Sequence, residues 1–349
     1  MTTIKIGNHL IGPGHRPYVI AEMSGNHNGS LDRALRLVDA AAESGAHALK
    51  LQTYTPDTIT IDADGPDFRL SAGHELWGGQ TLHELYQQAH TPYEWHEPLF
   101  ARAASHGLTV FSAPFDASAV ALLESLGAPA YKIASSEMVD LPLIRLAART
   151  GKPLIISTGM ATIAEIAQAL DAARGAGAQQ IVLLACTASY PASPHESNLR
   201  RIPVLAGTFG VQVGLSDHTL GIGVPIASVA YGATVIEKHL TLARDDGGVD
   251  SAFSLTPAEM RVLVDESERA WQAGGTTDIG PTASEKEGLR FRRSLYVVAD
   301  VRAGDEVTSA NVRSIRPARG LPPVEIDRVR GRRFTRDAAK GTPLSWDLI

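Results

Sequence analysis

Two segments raise the question of chemistry first. VGLSDHT at residues 213–219 and VIEKHLT at residues 235–241 are apolar runs that each end in polar groups including a histidine, His218 and His239. Side chains two apart on a strand share a face. Ser216 therefore stands beside His218, and Glu237 beside His239. The same grammar recurs along the chain: Glu22 follows VIA, Lys50 and Gln52 end LKLQT, Ser112 lies in TVFSA, Lys132, Ser135 and Glu137 lie in YKIASSE, and Tyr190 follows CTAS. A single strand-end lysine is usually solvated and a single histidine is usually structural. A core that gathered two lysines, two histidines and several carboxylates without pairing them would be costly, so the set points to a site. Two lysines with serine hydroxyls can clamp a phosphate or carboxylate. Two neutral imidazoles can hold a divalent cation and leave most of its positions open, and Mn²⁺, Co²⁺ and Mg²⁺ all suit so open a site. Glu22 facing that centre can act as a base or orient water. The combination implies an anionic substrate joined to a carbonyl that the metal polarises.

These residues need a scaffold that brings strand ends together. YVIAEM, ALKLQT, LTVFSA, AYKIAS, PLIIST, IVLLAC, VQVGLS and TVIEKH read as strands. Between them lie amphipathic, Ala-rich stretches such as LDRALRLVDAAAESGA, ASAVALLESLGA, LIRLAARTGK and ATIAEIAQALDAARGAGA, several ending in the glycine that stops helices. Nearly continuous apolar strands alternating with helices argue for a parallel sheet covered on both faces. Eight repeats predict an α/β fold closed as a (β/α)₈ TIM barrel, whose C-terminal strand ends converge on one mouth; an open doubly wound sheet is the alternative. Residues 55–100 are far longer than an ordinary connection and predict a lid or binding loop. Cys186, in IVLLACT, reads as a buried strand residue.

The barrel pattern accounts for residues 1–280, a polar linker for 281–290, and a small, mostly β domain for 291–349. A 349-residue chain that is 44% hydrophobic can bury a large core and carry such an appendage. The single cysteine excludes an intramolecular disulfide and, with no signal-like leader, predicts a cytoplasmic protein. No apolar run reaches the roughly 18 residues of a membrane helix. Residues 290–349 hold thirteen Lys or Arg against seven Asp or Glu, although the whole chain carries a net charge of −6. Without interleaved aromatics this does not read as a nucleic-acid surface. It predicts docking on the acidic remainder of this chain or of a neighbouring copy.

VIAEMSGNHNGS, KLQTYTPDT, AYKIASSE, GLSDHT, VIEKHLT and SIRPARGLPP, in that order over nearly the whole chain, closely resemble the sialic acid synthase family. QTYTPD, LWGGQTLHELYQQAHTPYEWH and VDSAFSL resemble its pseudaminic acid synthase branch. The resemblance implies a barrel followed by an antifreeze-like (SAF) domain, in a swapped homodimer whose small domains cap the partner's site. It implies condensation of phosphoenolpyruvate with an open-chain diacetamido-trideoxy-altrose, with loss of phosphate by C–O cleavage. On this likeness His218 and His239 match metal ligands, for a cation such as Mn²⁺. Lys50, Lys132, Ser135 and Ser216 match phosphoenolpyruvate contacts, with Ser112 a substitute contact. Gln52, Glu137, Tyr190 and Asp250 match sugar-side positions, Glu22 the acidic residue at the reacting centre, and Arg316 an arginine reaching the sugar across the dimer. The chain departs from the family pattern at Ala113 and Ala188, where a hydroxyl or amide is common; Ser112, Ser189 or backbone N–H groups are the possible replacements. The alternatives are synthesis of N-acetylneuraminic or legionaminic acid by the same chemistry, a sugar-binding protein without catalysis, and metal-dependent aldol cleavage.

Overall fold

The computed structural model describes residues 2–70 and 77–349. The stretch SAGHEL, whose last residue is the first of the motif LWGGQTLHELYQQAHTPYEWH, therefore lies outside the described residues. The chain divides into two compact units, Met1–Gly275 and Thr276–Ile349.

The first unit opens on a hairpin, β1 (Ile4–Ile6) and β2 (His9–Ile11), paired antiparallel around Gly7 at φ +56°. Eight parallel strands follow: β3 (Tyr18–Glu22), β4 (Ala48–Thr53), β5 (Thr109–Pro114), β6 (Tyr131–Ile133), β7 (Leu154–Ser157), β8 (Ile181–Cys186), β9 (Gln212–Asp217) and β10 (Val235–His239). They pair in chain order, and β10 closes onto β3. The open-sheet alternative is thereby overturned: His239 lies beside Glu22 in the β10–β3 register. The four Ala-rich stretches contain the helices Leu31–Glu43, Ala117–Ser125, Leu141–Ala148 and Ile163–Gly175. Their starts are set by side-chain caps from Ser30, Asp116, Asp140 and Thr162, which satisfy first-turn N–H groups.

The barrel interior is layered. Ile20, Ala48, Phe111, Ala130, Ile155, Val182, Leu184 and Val235 fill its lower part, and the hairpin adds Ile4, Ile6 and Ile11 as a plug. That plug is absent from the strand pattern read in the sequence. One or two inward positions further along, the lining turns polar, with Glu22, Lys50, Lys132, Ser157, Ser216 and Glu237. The outer faces of the strands pack under the helices in two further apolar clusters. Gly214 is obligatory in this arrangement, because a Cβ there would lie 2.2 Å from the Val235 carbonyl oxygen.

The second unit has a core of its own, including Leu295, Val297, Val312, Phe334 and Leu344. Its only regular sheet among the described residues is the antiparallel pair β11 (Ser294–Val297) and β12 (Val312–Ile315), supplemented by isolated bridges such as Val301 to Ala338. Residues 272–288 are all exposed. No helix among the described residues is long and apolar enough to cross a membrane.

Candidate active site

A cavity of about 490 Å³ opens at the C-terminal ends of the barrel strands. Lys50, Gln52, Lys132, Ser135, Glu137, Tyr190, Ser216, His218, His239 and Asp250, all singled out from sequence, line it together with Glu237.

Its floor is a charge network. The Lys50 ammonium lies 2.7 Å from Glu22 Oε2 and 3.7 Å from Glu237 Oε1. Lys132 Nζ lies 3.8 Å from the same Glu237 oxygen and donates to Ser157 Oγ at 2.7 Å. Ser216 Oγ also donates to Glu237 Oε1, at 3.1 Å. Burial alone would raise the Glu237 carboxyl, but Lys132 and Lys50 hold it below the ordinary carboxylate range. Burial raises Glu22, with Lys50 opposing and Glu237 reinforcing the shift. Burial works against the Lys50 charge, and Glu22 and Glu237 outweigh it, so this lysine stays above its usual value. Lys132 is lowered by burial, which Glu237 opposes and Lys50 assists. Glu237 Oε2 has no hydrogen-bond partner. The two lysines share the one Glu237 oxygen, and both line the cavity, so their N–H donors are at hand for an anionic group.

The histidines stand above this floor. Their ring centroids are 5.3 Å apart with an interplanar angle of 64°. His218 Nδ1–H donates to the Thr187 carbonyl at 2.9 Å, which orients the ring and leaves Nε2 as the lone-pair donor. The Cys186 Sγ, 4.0 Å from that Nδ1, also faces the cavity. Burial disfavours the His218 imidazolium, but Cys186 and the Thr187 carbonyl hold its pKa above the ordinary value. Burial, with His218 and Lys50 adding repulsion, drives His239 well below its ordinary pKa and keeps it neutral. His239 Nδ1 is buried without a hydrogen bond and lies 3.4 Å from Asp250 Oδ2. Two nitrogen donors at this separation, one ring fixed by a backbone acceptor and the other with an unsatisfied buried nitrogen, fit a shared divalent cation. Among the described residues no cluster of three or more His, Cys, Asp or Glu forms a metal site. Water and substrate would complete the coordination.

On the sugar-facing side, Gln52 Nε2 donates to Glu22 Oε1 at 2.9 Å and to Ser24 Oγ at 3.2 Å, and Ser24 Oγ donates to Asp250. Burial raises Asp250 to about 6. Burial likewise pushes Glu137 up to about 7. Tyr190 packs its ring 4.5 Å from His218 and 5.8 Å from Trp77. Trp77, from the long β4–β5 connection, donates its Nε1–H to the Val249 carbonyl at 2.9 Å. Ile59, Leu70, Trp77, Leu82, Leu85 and Tyr86 of that connection form an apolar wall of the cavity.

Three expectations need correction or completion. Ser112 does not face the cavity: its hydroxyl lies 2.6 Å from Thr53 Oγ1, which in turn lies 2.7 Å from His96 Nε2 on the helix Tyr93–Ser105, behind the barrel wall. Phe111 takes the interior lower position, so the two-residue period turns Ser112 outward and Ala113 inward. Ser189 is exposed and donates to the Pro191 carbonyl, so it replaces nothing inside. Arg316 lies in the second unit, exposed just after β12, with no ion pair among the described residues. Sequence reading missed the pocket roles of Ser24, Ser157, Cys186 and Trp77; Ser157 and Cys186 were visible as the last residues of their strands.

A closed (β/α)₈ barrel with an ammonium floor beneath paired imidazoles defines a class of anion-handling enzyme barrels, and comparison with known proteins places the chain within it. Residues 37–278 match the NeuB family and residues 292–349 match the SAF domain; the chain belongs to the NeuB family. It is 41% identical to the pseudaminic acid synthase of Helicobacter pylori over 95% of this chain and 98% of that protein. It is 39% identical to that of Campylobacter jejuni over 98% of each. The crystal structure of an N-acetylneuraminic acid synthetase from Leptospira borgpetersenii, in complex with citrate, superimposes with a TM-score of 0.74 at 32% identity, covering 82% of this chain and 95% of that one.

Proposed function

We propose that the protein is a pseudaminic acid synthase, which condenses phosphoenolpyruvate with 2,4-diacetamido-2,4,6-trideoxy-L-altrose to give pseudaminic acid and phosphate. The observation that carries the condensation chemistry is the joint presence, in one cavity, of the Lys50–Lys132–Ser216 floor and the His218–His239 pair. Lys50, Lys132, Ser157 and Ser216 bind the phosphate and carboxylate of phosphoenolpyruvate, with Ser135 at the edge of the clamp. Ser157 takes the place that Ser112 cannot. His218 and His239 hold the divalent cation, Mn²⁺ in preference to Co²⁺ or Mg²⁺, and the cation when bound supplies polarisation of the sugar aldehyde. C3 of phosphoenolpyruvate attacks the aldehyde carbon, water adds to the oxocarbenium at C2, and the resulting hemiketal phosphate releases phosphate through C–O cleavage. Glu22, whose Oε1 accepts from Gln52 and the Ser24 N–H, takes the proton of that water in this reading.

Gln52, Glu137, Tyr190 and Asp250 bind the polar groups of the sugar. The apolar wall supports a substrate rich in methyl groups: the altrose derivative has two acetamido methyls and a methyl at C6, whereas N-acetylmannosamine has one acetamido methyl and a C6 hydroxyl. Removing water from the extra methyls favours the altrose derivative. Arg316 of the small domain reaches the sugar from a partner copy in a domain-swapped homodimer. The reaction belongs in the cytoplasm, where Cys186 in the cavity remains a thiol. A coupled phosphate-release assay on the metal-replete protein tests the sugar. Higher kcat/KM with the altrose derivative than with N-acetylmannosamine or the legionaminic acid precursor is expected, and equal or reversed preference overturns the assignment.

A further inference from the structure

Each cavity histidine is preceded by an ionisable residue that the chemistry does not use, Asp217 before His218 and Lys238 before His239. By the two-residue period both side chains leave the barrel interior, and they are directly paired in the β9–β10 register. Lys238 Nζ donates to Asp217 Oδ2 at 2.6 Å and to the Thr219 carbonyl. Thr219 returns the link: its hydroxyl lies 3.0 Å and 2.9 Å from the two Asp217 oxygens, and its N–H donates to Oδ1. Lys238 is 0% exposed and Asp217 4%.

The cross-strand pair two residues earlier on the same outer face, Leu215 with Ile236, is apolar. A buried ion pair is no better for stability than such a pair, because desolvation of both charges offsets their attraction. It differs in being directional. Lys238 grips both a side chain and a backbone carbonyl of the turn that leaves β9, so it fixes residues on either side of His218 while its own strand carries His239. From the cavity side, the His218 ring is oriented by the Thr187 carbonyl, with Cys186 Sγ and the Tyr190 ring beside it.

We propose that Asp217, Lys238 and Thr219 form a positioning staple that sets the separation and orientation of His218 and His239 needed to share one cation. The inference rests on the metal reading given above. The test is Mn²⁺ binding to the metal-free full chain by calorimetry, alongside thermal melts, for wild type, H218A, the apolar double variant D217L/K238M and the single variant T219V. Wild type should bind one Mn²⁺ and H218A should lose it. D217L/K238M should keep the wild-type melting temperature yet bind Mn²⁺ roughly 10- to 100-fold more weakly, the range seen when groups that orient metal ligands are removed. T219V, which keeps the ion pair and removes one hydroxyl, should fold normally and weaken Mn²⁺ binding by several-fold. Wild-type Mn²⁺ affinity in either folded variant overturns the staple while leaving the metal reading intact. Absence of H218A-sensitive binding in wild type overturns both.

Discussion

On the proposed reading, phosphoenolpyruvate binding should depend most sharply on Lys132, whose ammonium is buried at the cavity floor between Glu237 and Ser157. Hydrogen bonds to charged groups contribute about 1.5–3 kcal/mol. Lys132→Ala should therefore raise the KM for phosphoenolpyruvate at least 10-fold with little change in sugar KM, measured by steady-state phosphate release; an unchanged phosphoenolpyruvate KM would also reopen metal-dependent aldol cleavage. Glu137 supplies a pH signature away from the histidines. Its carboxyl is pushed up to about 7 by burial, whereas the unfolded chain ionises it near 4.5. The folded state then holds a proton that the unfolded state has lost, so this group's contribution is fully favourable below pH 4.5 and declines as pH rises to about 7. Glu137→Gln removes the decline. The variant should gain stability relative to wild type between these pH values by on the order of 2 kcal/mol, read from urea midpoints at pH 4.5 and 7.5. Not every site residue was legible at this scale. The histidine and lysine positions showed themselves because a charge at the end of an apolar run is anomalous. Ser112 misled because both faces of a barrel strand are apolar, so the pattern gives no parity. Glu237 was seen to share a face with His239, but its contact with two lysines depends on curvature that brings β4, β6 and β10 together.

The eight strands were readable because each is a continuous apolar run bounded by helix signals, and closure followed from their number. The β1–β2 plug was not readable: two three-residue strands carry too little periodicity to register. The long β4–β5 connection was recognisable by length, but which of its residues face the cavity was not, since Trp77 is fixed by a hydrogen bond to Val249, distant in sequence. Trp77→Ala should lower the kcat/KM preference for the altrose derivative over N-acetylmannosamine by roughly 10-fold, the scale of losing one apolar contact; an unchanged ratio in the same assay would show that the wall does not select the sugar. Strand packing makes its own demand at Gly214. A methyl there meets the Val235 carbonyl, so Gly214→Ala should destabilise the barrel by about 1–3 kcal/mol in denaturant titration.

For the whole molecule, the question is which barrel the small domain serves. Arg316 sits exposed at the end of β12, in a basic domain appended to an acidic barrel. If it completes the partner's site, mixing inactive His218→Ala with inactive Arg316→Ala under subunit exchange should restore about a quarter of wild-type activity, because half of the dimers are mixed and each has one intact site. If Arg316 serves its own barrel, no activity returns. The most direct test of the central claim follows the bridging oxygen of phosphoenolpyruvate. With that oxygen labelled as ¹⁸O, and with metal and the altrose derivative present, mass spectrometry of the released phosphate should find the label in phosphate, as C–O cleavage requires. Unlabelled phosphate with the ¹⁸O retained in the sugar acid, or release of phosphate without the sugar, would contradict it.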